Sequence, residues 1–229
     1  MLLLLLLLLL PVLHLLRPSP HYYHYYYLTH PFSPRYALVN NAGCGLAQEG
    51  TEHSGNLCVE TNTYGPKRVT EAFLPLLDPK DGRIVNLGSG AAGGYVKRLG
   101  ETDAARDMCR DDITWPEIVA HLDAHLGAEA DTMGGYGPSK AALAQYSKIV
   151  ARENPNITVS CCSPGFIDTA MTKGYGASKK PEEGTVALRQ LLFDTVEGNG
   201  WYYGSDGVRS PYHFMRNPGE PAYDGVVPF

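Results

Sequence analysis

Four short apolar runs, each closing on turn-forming residues, limit the folds open to this chain. They are Ala37-Leu38-Val39-Asn40, Arg83-Ile84-Val85-Asn86-Leu87, Ile157-Thr158-Val159-Ser160-Cys161-Cys162 and Trp201-Tyr202-Tyr203. Each is too short for a buried helix and rich in β-branched or aromatic residues, so each reads as a strand. Helical stretches lie between them. One runs from about Thr61 to Leu77 with Val69, Ala72, Phe73 and Leu76 on one face, and others from Lys140 to Glu153 and from Pro181 to Glu197, the last opened by a proline and two glutamates. Strands alternating with helices predict an α/β fold, a mainly parallel sheet with flanking helices. With 229 residues and 44% apolar content the chain can build one core of good size.

Residues 1–35 depart from this pattern. Met1 to Leu16 is almost pure leucine, and a histidine- and tyrosine-rich stretch follows from His21 to Tyr27. This is low-complexity sequence, expected to be unstructured or mis-joined. A signal or anchor is the competing reading, but no basic region opens it. Sixteen helical residues rise only about 24 Å against a hydrocarbon core of roughly 30 Å. The domain is therefore expected to span 36–229, and a membrane is not an expected partner. Net charge is −5 and every acidic residue lies beyond Asn40, which argues against a nucleic-acid partner. Five cysteines, without metal-ligand spacing, read as free core thiols of a reducing, cytoplasmic compartment.

The charged stretch at about 92–134 interrupts the alternation and reads as a helical insertion. Thr114-Trp115-Pro116-Glu117 has the form of a capped helix start, with Ile118, Leu122 and Leu126 as the apolar stripe behind it. His121 and His125 lie one turn apart with no third ligand in view, so a solvated helix face is expected and no metal.

Tyr136 and Lys140 are four residues apart and share one face of a helix. A phenol with reference pKa near ~10 is a poor acid–base at neutral pH, and a nearby ammonium should lower it. Alone the pair is weak, since fifteen tyrosines give about one Tyr-x-x-x-Lys by chance. Three strand ends strengthen it. Ser89 follows a strand in a Gly88-Ser89-Gly90 turn, Asn40-Asn41-Ala42-Gly43 ends another, and Pro164-Gly165 ends a third. Ligands of open α/β sheets bind at that edge.

These motifs, in this order, resemble those of the short-chain dehydrogenase/reductases, and the insertion before Tyr136 is similar to that of their carbonyl-reductase-like members. The resemblance runs from about Tyr36 to Gly225 and implies a Rossmann-like fold whose first βαβαβ half is missing. No glycine precedes Gly43, so the family's glycine-rich phosphate loop has no counterpart. It implies an oxidoreductase that reduces a small-molecule carbonyl, or oxidises the alcohol, with NAD(P)H, NADP being slightly favoured over NAD.

By that resemblance the catalytic residues are Tyr136 as general acid, Lys140 lowering its pKa and bonding the nicotinamide ribose, Ser89 on the substrate oxygen, and Asn62 positioning a water in the proton relay. Asn41, Ala42 and Gly43 line the adenosine side, and Pro164, Gly165, Ile167 and Thr169 the nicotinamide side. Tyr175, Trp201, Tyr202, Tyr203 and Tyr212 form either an aromatic rim over the substrate or ordinary packing. Two rival functions stay open. A sugar-nucleotide epimerase shares Tyr-x-x-x-Lys but not the other motifs. A truncated pseudoenzyme would at most associate with a complete homologue. Monomer and homo-oligomer are both compatible with the sequence. Weak or absent dinucleotide binding and an exposed strand edge at Ala37–Asn40 are the expectations for the chain as it stands.

Overall fold

A computed structural model describes residues 34–45 and 55–227. The low-complexity segment of residues 1–35, apart from its last two residues, lies outside them. Among the described residues four strands form one sheet in the order β1-β2-β3-β4, all parallel: β1 (Ala37–Asn40), β2 (Arg83–Leu87), β3 (Thr158–Cys162) and β4 (Trp201–Tyr203). Ala37 faces Arg83 and Arg83 faces Thr158, so the first three strands start level. The expected α/β, Rossmann-like sheet with flanking helices is what the chain forms.

Side chains alternate between the two faces, as the period of two requires. Leu38, Ile84 and Val159 enter one core, while Ala37, Val39, Val85, Leu87 and Cys162 enter the other. The first core lies under α1 (Gly55–Val59), α2 (Gly65–Phe73), α3 (Gly90–Arg98), α4 (Asp103–Asp107), α5 (Trp115–His125) and α6 (Tyr136–Glu153). The second is covered by α7 (Val186–Phe193) through Ala187, Leu191 and Leu192.

Several elements depart from the sequence expectation. The helix expected from Thr61 starts at Gly55, passes through a π turn at Glu60–Tyr64, and ends in a 3-10 turn at Leu74–Leu76. Its buried face is Asn62, Thr63, Pro66 and Thr70, and Ala72 and Leu76 of the expected apolar face are exposed. Pro66 accounts for the π turn. It has no N–H to give the Asn62 carbonyl, and the ladder widens so that the Gly65 N–H reaches Glu60 instead. The helix expected at Pro181–Glu197 is shorter, a 3-10 turn at Glu183–Thr185 followed by α7, and Pro181 precedes it in a turn. The strand expected to be an edge is the end strand of the described sheet, and its side chains, Ala37 to Asn40, are all buried.

Within the charged stretch, α3, α4 and α5 send Tyr95, Met108, Ile113, Ile118 and Leu122 into the same core as Leu38 and Ile84. The long helix α6 is buried on all sides and bonds this stretch through its polar tips. Gln145 donates to the Met108 carbonyl at 2.6 Å, Lys148 to Cys109 at 2.7 Å, and Arg152 to Ile113 at 2.9 Å. At α5 the capping box is present, Thr114 bonding Glu117 side chain to side chain at 2.7 Å and the Thr114 N–H reaching the same carboxylate at 2.8 Å. Thr114→Ala is expected to cost about 1 kcal/mol, lowering Tm by about 2–4 °C for a domain of this size in a thermal melt.

His121 corrects another expectation. It is buried, not on a solvated face, accepting or donating at 2.7 Å with the Tyr95 hydroxyl and stacked on His125. Burial, then the neighbouring His125, pulls its imidazole down to about 4, so it is neutral at physiological pH.

Candidate active site

The parallel sheet brings the ends of β1, β2 and β3 to one edge, and a polar ladder fixes their register. Asn40 at the end of β1 donates to Thr70 of α2 at 3.0 Å and to Asn86 of β2 at 2.7 Å, and Asn86 donates to Ser147 of α6 at 2.8 Å. All four side chains are buried and linked. A partner removed from such a chain leaves the next amide unpaired in the core. The first asparagine of the Asn-Asn-Ala-Gly motif is thus structural. The signal was legible as two asparagines at matching positions of neighbouring strands.

Ser89 leaves β2 as the N-cap of α3, accepting the Ala91 N–H at 3.2 Å. Its hydroxyl also lies near enough to the Tyr136 phenol to pull that group's pKa down. A hydroxyl that accepts from a helix amino terminus is turned, as a donor, toward whatever lies opposite. Opposite stands the first residue of α6. The helix begins four residues before the expected Lys140, with Gly135 in the left-handed region (φ 84°) ahead of Tyr136. Gly135 also abuts the Gly55 backbone, where a Cβ would come within 2.6 Å.

Lys140 lies one turn on, 4% exposed, its Nζ 5.9 Å from the Tyr136 ring centroid. It donates to the carbonyl of Leu87, the last residue of β2, at 2.7 Å. Burial pulls its ammonium down to about 8, with the surrounding thiols of Cys161, Cys44, Cys58 and Cys162 acting the other way. The phenol behaves differently from expectation. Burial pushes Tyr136 above its ordinary value, and the opposing pull comes from the Ser89 hydroxyl. The expected lowering by Lys140 is therefore corrected: desolvation dominates, and the ammonium is engaged by the Leu87 carbonyl.

Asn62, fully buried in the π turn, clamps the segment that follows β1. Its amide donates to the Cys44 carbonyl at 2.8 Å and to Ser139 at 3.0 Å, and its oxygen accepts the Cys44 N–H at 2.9 Å. A Cβ on Gly43 would sit 3.2 Å from the Asn62 oxygen and 3.4 Å from Lys140 Nζ, and one on Gly45 would overlap the Tyr136 ring. At 45 only glycine lets the backbone pass so close, while at 43 a methyl would press its neighbours back by a few tenths of an ångström. Gly45 was not singled out by sequence reasoning, although Gly-x-Gly after the strand was there to see. Asn41 is exposed and Ala42 half-buried on the same segment.

The Pro164–Thr169 segment leaves β3 at the same edge. Gly165 has φ 88° and packs against Ser205 and Lys179, Ile167 is buried and bridges Lys179, and Thr169 is exposed at the start of a 3-10 turn, Ala170–Thr172. Ser89, Tyr136, Lys140, Asn62 and Gly43 are brought into contact with one another or with shared neighbours. Pro164, Gly165, Ile167 and Thr169 share the sheet edge with them. Of the aromatic residues, Tyr202 and Tyr203 are buried, Tyr212 donates to the Gly200 carbonyl at 2.7 Å, and Trp201 packs beneath Arg209 at 3.7 Å. These four are packing residues, and Tyr175 alone of the five is exposed. The cysteines divide as well: Cys58, Cys109, Cys161 and Cys162 are buried thiols, but Cys44 is half-exposed beside Asn62.

No family model matches the chain. Among curated relatives it is 32% identical over 160 residues to salutaridine reductase of Papaver bracteatum, covering 64% of this chain and 50% of that protein. It is also 32% identical over 160 residues to short-chain dehydrogenase/reductase 1 of Saponaria officinalis, covering 64% and 52%. Against carbonyl reductase [NADPH] 1 of Bos taurus the identity is 30% over 183 residues, covering 70% and 64%. The chain thus spans about half the length of the first two relatives. Among solved structures, salutaridine reductase from Papaver somniferum superposes with a TM-score of 0.62 at 24% identity, over 80% of this chain and 76% of that one. The D. melanogaster carbonyl reductase Sniffer gives 0.53 at 20% identity, over 83% and 71%. At such identities the structures speak for the fold. Sequence relatives, shared fold and the motifs at one sheet edge agree: the chain is a relative of the short-chain dehydrogenase/reductases.

Proposed function

We propose that this site reduces the carbonyl of a small apolar molecule to an alcohol, or runs the reverse oxidation, with a nicotinamide dinucleotide. One observation carries the reading: the Ser89 hydroxyl acts on the Tyr136 phenol, one helical turn from a buried ammonium at the carboxyl edge of a parallel sheet. The dinucleotide supplies the hydride. Tyr136, kept neutral by burial, holds the proton to be delivered to the carbonyl oxygen. Ser89, already donating toward that spot, orients the same oxygen. Lys140 supplies positive charge beneath the site and a donor for a ribose hydroxyl, and Asn62 holds the Gly43–Gly45 turn against both.

The residues fit the nicotinamide and ribose side of such a cofactor, because glycine at 43 leaves the ground next to Lys140 Nζ and Asn62 clear of any side chain. Asn41, Ala42 and Gly43 would line one flank and Pro164, Gly165, Ile167 and Thr169 the other. NADPH is the form we assign, from relatives named carbonyl reductase [NADPH]. The five free thiols suit a reducing cytoplasm. Among the described residues no helix is long and apolar enough to cross a membrane.

The test is oxidation of NADPH and NADH by the purified full chain, followed optically with a panel of apolar ketones and aldehydes, alongside calorimetric titration of both cofactors. Ketone-dependent turnover with NADPH preferred is the expected result, with weak affinity for either cofactor because no glycine precedes Gly43 to form a phosphate loop. A folded chain that binds neither cofactor and consumes neither would sink it, leaving the non-enzymatic homologue.

A further inference from the structure

Cys44 is the one thiol of the five that is not buried, and its partner is close. Its Sγ donates at 3.6 Å to the carbonyl of Leu57, the residue before Cys58, and it acts on the Cys58 thiol, raising it. Cys58 lies in α1, 1% exposed, where the charges of Lys140 and Asp131 act on it in opposite directions. The two sulfurs join the turn after β1 to the helix that carries Asn62. Neither takes part in the proposed reaction.

We propose that Cys44 and Cys58 are a peroxide-sensitive dithiol, which closes to an intramolecular disulfide and displaces the Gly43–Gly45 turn that floors the site. Atoms balance in two steps. The Cys44 sulfur attacks a peroxide, the O–O bond breaks, and Cys44 becomes a sulfenic acid while the other oxygen leaves as an alcohol or water. Cys58 then attacks the Cys44 sulfur, the S–O bond breaks, and water leaves with the Cys58 proton. The peroxide gains the two electrons that the two thiols lose. Cys58 is shielded from the first step by burial, which also pushes its thiol up to about 12. The neighbouring Lys140 ammonium works in the opposite direction, favouring the thiolate the second step needs.

Bond formation brings the sulfurs to about 2.05 Å, and the turn must follow. Asn62 grips both backbone groups of Cys44, Gly43 rests on Lys140, and Gly45 on the Tyr136 ring. A shift of about 1 Å among such groups costs on the order of 10²-fold in turnover. That consequence rests on the proposed oxidoreductase reading, whereas the disulfide itself does not.

The experiment is therefore a thiol map of the full chain, made before and after hydrogen peroxide. Native alkylation is expected to label Cys44 before treatment and nothing after it. Non-reducing peptide mapping should join the Cys44 and Cys58 peptides, and a dithiol reductant should restore the label. In Cys58→Ser the sulfenic acid should persist on Cys44 and be trapped by dimedone, with wild type trapped at least tenfold less. Circular dichroism reports whether that variant folds, and if it does not, the wild-type map decides alone. Oxidation of Cys44 to a sulfinic acid without a cross-link, or a cross-link to Cys109, Cys161 or Cys162, overturns the proposal. Loss of turnover without the cross-link points instead to damage elsewhere in the site.

Discussion

Tyr136→Phe is expected to lower kcat for carbonyl reduction by roughly 10²–10⁴-fold, the range for loss of a positioned general acid, while cofactor affinity changes little. The phenyl ring keeps its packing against Gly45 and its place 5.9 Å from Lys140 Nζ. What it loses is the hydroxyl on which Ser89 acts, and with it the proton assigned to the reacting oxygen. Steady-state kinetics with saturating NADPH, paired with a titration of the cofactor, separates this outcome from a binding defect. A variant retaining a tenth or more of wild-type kcat would remove Tyr136 from the chemistry. Ser89→Ala makes the complementary case. It leaves the proton but removes its orienting partner, and also uncaps α3, so part of its loss is in stability.

The strands and the convergence of the site were legible in the sequence, because both follow from short-range rules. Ala37–Asn40, Arg83–Leu87 and Trp201–Tyr203 end where small or turn-forming residues stop the ladder, and a parallel sheet then puts their carboxyl ends together. Helix boundaries were less legible. The Tyr136 helix begins early because Gly135 packs on Gly55, a contact across 80 residues that no local pattern reveals. Thr70 and Asn62 are buried polar residues on a face where apolar ones were expected, since their partners, Asn40 and Cys44, come from another element. The direction of the Tyr136 shift was read wrongly for a related reason. Spacing on a helix reports that two side chains are neighbours, but not that the ammonium is held by Leu87 and the phenol buried. Proximity was visible, and desolvation was not.

Lys140→Met is expected to move activity and stability in opposite directions. Turnover should fall roughly 10²-fold or more, as for removal of a preorganised donor beside the reacting atoms, yet the variant should melt at a higher temperature at pH 7. The ammonium is buried, and among the described residues no carboxylate raises it, so it sits at about 8 in place of 10.5. A difference of that size corresponds to on the order of 3 kcal/mol of penalty on the charged form. Methionine fills the same volume without it. The Leu87 carbonyl loses its donor and takes back about 1–2 kcal/mol, leaving a net gain on the order of 1 kcal/mol, or about 2–4 °C. The pH dependence fixes the cause. A lysine depressed in the folded state binds its proton more weakly there than when unfolded, so wild-type stability is penalised below about pH 8 and rises as pH climbs from there toward 10.5. The variant lacks that rise, so the two stability curves should draw together across the window, and kcat of the wild type should fall over the same limb as Lys140 loses its charge. Parallel melting curves from pH 7 to pH 10 would mean that the Lys140 ammonium is not depressed at all, and the buried-charge account of the site would fail with it.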